Sequence, residues 1–181
     1  MTKHIAVLIG SASKTSFNHL AVKHLQKIAP ENLELNIVEI GDLPLYDRDS
    51  DEQEVPTYTR VREAIKAADA VIWVSPEHNG SYSAMIKNAI DVVSRPAGQS
   101  LWIGKPLGLI SVNASGSNRA VDALRTIAAS TYVNMPVAPF AATIGGIFAG
   151  AFDENGELVS EAAKATLQGF IKAYAEFIAK F

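Results

Sequence analysis

The sequence predicts a single three-layer α/β domain, in which a doubly wound parallel sheet lies between two layers of helices. Three observations support this class. Apolar strand-like runs alternate with helix-like stripes along the whole chain. Most of these runs are continuous, which is typical of strands covered on both faces. The 181 residues also match the size of one compact domain, spanning residues 1–181, and contain no internal repeat or linker-like segment.

Five strands are expected. Residues 5–9, 71–74 and 107–110 are continuous apolar runs and are expected to be buried on both faces. Residues 33–37 alternate between apolar and polar side chains, which indicates a strand covered on one face and therefore an edge strand. Residues 141–144 give a weaker fifth pattern, because two glycines follow directly.

Five helices are expected from apolar residues that recur every three or four positions. Pro96 stops the third of them, and a polar segment at residues 41–56 precedes the second. The five stripes lie at residues 17–28, 58–68, 85–93, 120–129 and 167–181.

The composition excludes several classes of function. The chain has 16 basic and 19 acidic residues, a formal net charge of −3, which argues against a broad nucleic-acid interface. It has no cysteine, which excludes a disulfide framework and thiolate metal sites, and its four histidines show no metal-ligand spacing. No apolar run approaches the roughly 20 residues that span a bilayer, and the N-terminal run is too short for a secretory signal. We therefore expect a soluble cytoplasmic protein that acts on a small molecule.

The first candidate site is the polar loop at residues 10–18, after the first strand. Ligands of open parallel sheets collect at the carboxyl ends of the strands, and free N–H groups at a helix start attract anions. Side chains of this loop would add donors for a phosphate group: Ser11, Ser13, Ser16 and Asn18. Alternatively, Ser16 only caps the helix within a polar turn. The loop alone favours neither interpretation.

Two familiar nucleotide-binding motifs are absent from this loop. A dinucleotide fingerprint needs three spaced glycines, and only Gly10 is present. A Walker A motif ending at Lys14 and Thr15 would need glycine in place of both Ser13 and Leu8. The loop therefore belongs to neither class.

The second candidate loop, at residues 75–82, follows the third strand. Pro76 stiffens the strand exit, Gly80 would let the backbone approach a flat ligand, and Asn79 could hydrogen-bond the edge of a ring. In an ordinary structural role, His78 would be a surface histidine and Glu77 a structural carboxylate.

The third candidate loop, at residues 113–119, follows the fourth strand. Ser115 and Gly116 would line the other edge of the same ring, or Ser117 or Asn118 simply caps the next helix. A phosphate nest and two ring-clasping loops at one sheet edge fit a mononucleotide with a large ring. FMN is such a molecule, and sheets of this kind bind it.

At these loops the chain resembles the NAD(P)H-dependent FMN reductase family, a flavodoxin-like group that includes chromate, quinone and azo reductases. The most specific feature pairs Pro-Glu-His-Asn-Gly at residues 76–80 with Lys-Asn-Ala-Ile-Asp at residues 87–91. Further matches are at residues 10–18, 43–46, 94–96 and 115–116. The resemblance implies a flavodoxin-like fold with five parallel strands in the order 2-1-3-4-5.

By position, the resemblance implies that the FMN phosphate contacts Ser11, Ser16 and Asn18. It implies contacts with the flavin ring or ribityl chain for a second group: Pro76, Glu77, His78, Asn79, Gly80, Ser115 and Gly116. Two positions depart from the family. Arginine is frequent where Ser13 stands, so one charge-assisted phosphate contact would be missing unless Lys14 substitutes for it. Tyrosine is common where His78 stands, which would alter the stacking there.

The resemblance also implies an FMN-dependent oxidoreductase. NAD(P)H, the co-substrate, would pass a hydride to the flavin and leave, and a quinone, azo compound, chromate or free flavin would then accept electrons by a ping-pong mechanism. Because the flavin carries the chemistry, no catalytic side chain and no metal is expected. A homodimer or homotetramer is implied, for which the apolar stripes at residues 83–94 and 120–129 would serve as an interface or, alternatively, pack on their own sheet.

Two other functions suit the same fold. One is a flavodoxin-type electron carrier or flavin-binding module, although flavodoxins tend to be strongly acidic and a net charge of −3 is weak evidence against it. The other is a phosphate-binding hydrolase or transferase.

Overall fold

A computed structural model describes all 181 residues, and its centre is one sheet of five parallel strands. The strand order is 2-1-3-4-5, which confirms the flavodoxin-like fold. The strands, named β1 to β5 in chain order, are Lys3–Ile9, Leu33–Val38, Ala70–Ser75, Leu107–Val112 and Ala142–Ile144.

Five α-helices connect and follow the strands, and they are named α1 to α5 in chain order: Phe17–Ile28, Pro56–Ala67, Ala84–Val93, Arg119–Ala128 and Glu161–Ile178. Helices α1 and α5 pack on one face of the sheet, and α2, α3 and α4 pack on the other. This arrangement gives the three predicted layers. None of the helices is long and apolar enough to cross a membrane.

The sheet separates two apolar cores. In β1, Ile5, Val7 and Ile9 contact the core under α1 and α5, whereas Ala6 and Leu8 contact the core under α2, α3 and α4. The side chains of β3 divide in the same way. Because helices close both cores, each successive side chain of a central strand is buried, which explains the continuous apolar runs.

The edge strand and the polar segment depart from the simplest expectations. Strand β2 lies at the sheet edge, as its alternation predicts, but Ile37 near its end is 43% exposed because an edge strand has a neighbour on one side only. The polar segment contains a short 3-10 helix, Arg48–Glu52, which the pattern of apolar residues does not predict. Its start is capped by Asp47, whose carboxylate accepts a hydrogen bond from the N–H of Ser50 at 3.1 Å.

Gly108 in β4 lies where α5 packs closely on the sheet. A Cβ atom at this position would lie 2.9 Å from Phe170 and from Tyr174, whose rings stack with centroids 5.6 Å apart. Tyr174 is buried and donates a hydrogen bond to the carbonyl oxygen of Val71 at 2.7 Å. Burial raises the pKa of this hydroxyl well above its usual range, so it remains a donor. The stacked rings of Phe170 and Tyr174 are therefore fixed by close packing against Gly108 and by the hydrogen bond of Tyr174.

We expect Gly108→Ala to destabilise the fold by about 1–3 kcal/mol, the usual cost of overpacking a core. The matched control is Gly169→Ala on the exposed face of α5, where an added Cβ has nothing within 4 Å. Alanine there is expected to stabilise the helix by about 0.5–1 kcal/mol. Urea unfolding followed by circular dichroism measures both changes. Equal midpoints for Gly108→Ala and the wild type would contradict this packing.

Candidate cofactor site

A cleft of about 350 Å³ lies at the carboxyl ends of the strands, the edge where parallel sheets bind ligands. Its volume falls within the range of small-molecule sites, about 300–1,000 Å³. Parts of four chain segments line it: residues 11–18, 76–78, 112–114 and 147–148.

The predicted site residues divide into two groups. The cleft brings together Ser11, Ser13, Ser16, Asn18, Pro76, Glu77 and His78. The remaining ones lie outside its lining: Asn79, Gly80, Ser115 and Gly116.

The loop between β1 and α1 presents a run of free backbone donors. None of the N–H groups of residues 11–18 donates a hydrogen bond within the protein. Ser16 caps α1, because its Oγ accepts a hydrogen bond from the N–H of His19 at 3.3 Å. Its own hydroxyl proton is still available to a ligand, so the capping and the phosphate-binding interpretations are compatible. Unpaired N–H groups, hydroxyls and the helix dipole together suit an anion.

Asn18 contributes a buried polar atom without a partner. Its Nδ2 donates a hydrogen bond to the carbonyl oxygen of Val112 at 3.4 Å, whereas its Oδ1 is buried and has no hydrogen-bond partner. Buried acceptors nearly always have a partner, so a donor on a bound ligand would complete this one.

Gly10 determines how closely this loop approaches α3. A Cβ atom at Gly10 would lie 2.8 Å from the Cβ of Ile86, a distance that a real side chain does not tolerate. Gly10 N–H also donates to the carbonyl oxygen of Val74 at 2.8 Å. The loop therefore begins directly beside β3 and α3.

Residues 78–81 form a tight turn beside the cleft. The backbones of His78 and Ser81 exchange hydrogen bonds of 2.8 and 3.0 Å. Between them, Asn79 and Gly80 have φ angles of 51° and 78°, the left-handed values for which Asn-Gly is favoured in type I′ turns. The turn thus accounts for the identities of these two residues, and His78 is the one that borders the cleft.

Glu77 joins two of the loops that flank the cleft. Its Oε2 accepts a hydrogen bond from the hydroxyl of Ser117, and its Oε1 lies 3.8 Å from the guanidinium of Arg119. The Glu77 side chain is mostly buried, whereas that of Arg119 is exposed. The carboxylate therefore fixes the loop after β4 against the loop after β3.

Asn113, which the predicted site omits, organises the loop after β4. Its Nδ2 donates to the carbonyl oxygen of Ser117 at 3.0 Å, and its Oδ1 accepts from the N–H of Gly116 at 2.7 Å. Gly116 has a φ of 74° and packs on Gly145, where a Cβ would lie 2.7 Å from the Gly116 Cα. Asn113 lines the cleft, whereas Ser115 and Gly116 shape the loop behind it.

The fourth lining segment, which contains Ile147 and Phe148, was not predicted. The two glycines after β5 weaken its strand pattern, so the loop that follows β5 was not recognised as a strand-end loop. The rule that ligands collect at strand ends applies to β5 as well, and would have found this segment.

Three motifs that carry the resemblance, at residues 43–46, 87–91 and 94–96, connect the polar segment to the region of α3. Asn88 on α3 accepts a hydrogen bond from the N–H of Tyr46 and donates one to the carbonyl oxygen of Pro44, both at 2.8 Å. Arg95 pairs with Asp51, and its hydrogen bond, with a second one from the Tyr46 hydroxyl, holds the pKa of that carboxyl below its usual range against the opposing effect of burial. These residues fix the polar segment to α3.

The residues present fit FMN. The unpaired N–H groups of residues 11–18 would hold its phosphate. The resemblance implies a phosphate contact for Asn18, but its unpaired atom is the acceptor Oδ1, which suits a ribityl hydroxyl because a phosphate dianion has no proton to donate. Residues 76–78 and 113–114 would border the ring. No group of three or more acidic or histidine side chains is placed to hold a metal ion.

The chain is similar to known flavin-dependent and quinone reductases. The family model for NADPH-dependent FMN reductase matches residues 4–148. A quinone reductase of Pseudomonas putida is 41% identical over 180 residues, which cover 96% of this chain and 94% of that protein. A 2-hydroxy-1,4-benzoquinone reductase of a Burkholderia species is 36% identical, over 98% of this chain and 97% of that protein.

A solved structure of a flavoenzyme is also similar to this chain. FerB, a flavoenzyme NAD(P)H:(acceptor) oxidoreductase from Paracoccus denitrificans, matches with a TM-score of 0.84 and 36% identity, over 99% of this chain and 98% of that chain. The predicted oxidoreductase class, the FMN cofactor and the NAD(P)H co-substrate are thereby confirmed. The chain belongs to the NADPH-dependent FMN reductase family.

Proposed function

We propose that this protein reduces quinones with NAD(P)H by means of bound FMN. The observation that carries the proposal is the run of unpaired N–H groups at residues 11–18, most of which line the cleft at the carboxyl ends of the strands. Relatives named as quinone reductases support a quinone as acceptor. Azo compounds, chromate and free flavin are further candidate acceptors.

FMN supplies the redox chemistry, because it can take up a hydride and give up two electrons. In the balanced reaction, NAD(P)H, a quinone and one proton give NAD(P)⁺ and a hydroquinone. A cleft of about 350 Å³ offers no separate chamber for a second substrate once a mononucleotide occupies it. Donor and acceptor would therefore occupy the same part of the site in turn, as a ping-pong mechanism requires.

The role of the protein's own residues is to bind and orient FMN. The backbone and hydroxyls of residues 11–18 hold the phosphate, among them Ser11, Ser13 and Ser16. Asn18 fixes the ribityl chain through its unpaired Oδ1. The loops at the ring end are bordered by Pro76, Glu77 and His78 and are shaped by Asn79, Gly80, Ser115 and Gly116.

A homodimer or homotetramer is part of the proposal. The predicted apolar stripes do not support it, because the apolar residues of α3 and α4 pack in the core of their own chain. The outer side of these helices instead forms a groove of about 400 Å³ whose lining includes Lys87, Asp91 and the exposed Tyr132. Sedimentation that shows only monomer would contradict this part.

Purified protein is expected to bind added FMN, with a change in the flavin absorbance spectrum, and then to oxidise NADH or NADPH when menadione is supplied. Oxidation without a partner reductase separates this function from that of an electron carrier. Retention of FMN through gel filtration separates it from a phosphate-binding hydrolase. If added FMN causes no spectral change and menadione elicits no oxidation of NAD(P)H, the proposal is wrong.

The same titration tests the site. Asn18→Ala is expected to raise the Kd for FMN about tenfold, because it removes a hydrogen bond worth roughly 1 kcal/mol or more. Asn36→Ala is the matched control, since Asn36 is exposed on the edge strand β2 and lies outside the cleft. Thermal melting verifies that both variants fold. A Kd unchanged by Asn18→Ala would remove Asn18 from the site.

A further inference from the structure

Phe148 is an exposed aromatic side chain at the rim of the cofactor cleft. Its side chain is 82% exposed, yet it lines the cleft together with Ile147. The other large exposed apolar side chains all lie elsewhere on the molecule: Met1, Ile37, Leu45, Ile103, Tyr132, Val159 and Phe181. Phe148 is thus the one large apolar side chain of the cleft lining that is mostly exposed.

The segment that carries Phe148 is anchored. Gly146 N–H donates to the carbonyl oxygen of Ala114 at 3.1 Å, and Ala149 N–H donates to the carbonyl oxygen of Gly146 at 2.8 Å. The Phe148 ring meets Phe17 edge to face, with centroids 5.7 Å apart and an interplanar angle of 88°. This contact orients the ring and leaves the rest of its surface open.

The contact with Phe17 places Phe148 at the phosphate end of the cleft, because Phe17, the first residue of α1, is itself one of the residues with free N–H groups. Under the proposed function, the flavin ring lies at the other end, beside residues 76–78. A nicotinamide that reaches this ring carries an adenosine part that must lie away from it. Of the two phenylalanines that line the cleft, Phe17 is half-buried and Phe148 is the exposed one, and nucleobases stack well on exposed aromatic side chains.

We propose that Phe148 is the stacking platform for the adenine of NAD(P)H, an inference that rests on the proposed function. Phe148 then selects a dinucleotide hydride donor over a donor that has only the nicotinamide ring. The quinone, which replaces the nicotinamide at the ring end, does not reach Phe148.

The test compares two hydride donors, NADH and 1-benzyl-1,4-dihydronicotinamide, which lacks the adenosine part. Phe148→Ala is expected to raise the KM for NADH about tenfold with little change in kcat, and to leave the KM for the benzyl donor and the Kd for FMN unchanged. Phe148→Trp is expected to restore the KM for NADH. Phe181→Ala is the matched control, because Phe181 is also exposed (61%) and also contacts one phenylalanine, Phe177, with centroids 5.3 Å apart.

Three results would overturn the inference. If Phe148→Ala impairs both donors equally or raises the Kd for FMN, Phe148 covers the flavin and does not bind adenine. If it changes neither KM, the side chain contacts no substrate. If the wild-type protein oxidises neither donor, the proposed function fails, and the stacking fails with it.

Discussion

The unpaired backbone N–H groups between β1 and α1 are the constraint on which the rest of the site depends. None of the N–H groups from residue 11 to residue 18 is used internally, so all of them are free for a ligand. The loop is forced into this conformation by close packing at Gly10 and by the capping of α1 by Ser16. These donors lie at the start of α1, where the helix dipole also favours negative charge. A phosphate group satisfies all of these features at once.

The remaining parts of the site follow from positioning the other loops around this one. Asn113 shapes the loop after β4, and the close contact of Gly116 with Gly145 brings this loop against the loop after β5. Glu77, through the hydroxyl of Ser117, fixes the loop after β3 to the loop after β4. Glu77 and Asn113 therefore act as structural ties within and between these loops. This division is expected where the cofactor supplies the chemistry and the protein supplies shape and donors.

The fold was predictable because its signals are local and repeated. Continuous apolar runs mark the central strands, and the alternation in β2 marks the edge. The lining of the candidate cleft was predictable where its residues are contiguous in sequence, as in residues 11–18. It was less predictable where one residue type suits two roles: Asn79 and Gly80 suit a ligand contact, but they also encode a type I′ turn. Phe148 belongs to no sequence motif, and only the rule that ligands collect at strand ends points to its segment.

The central claim is that the loop at residues 11–18 binds the phosphate of FMN, and the comparison of FMN with riboflavin tests it most directly. The two molecules share the ring and the ribityl chain and differ in the phosphate. Hydrogen bonds to a charged group contribute about 1.5–3 kcal/mol each, so two or more of them predict that FMN binds at least about 100-fold more tightly than riboflavin. Equal dissociation constants for the two flavins, measured by fluorescence titration, would contradict the account.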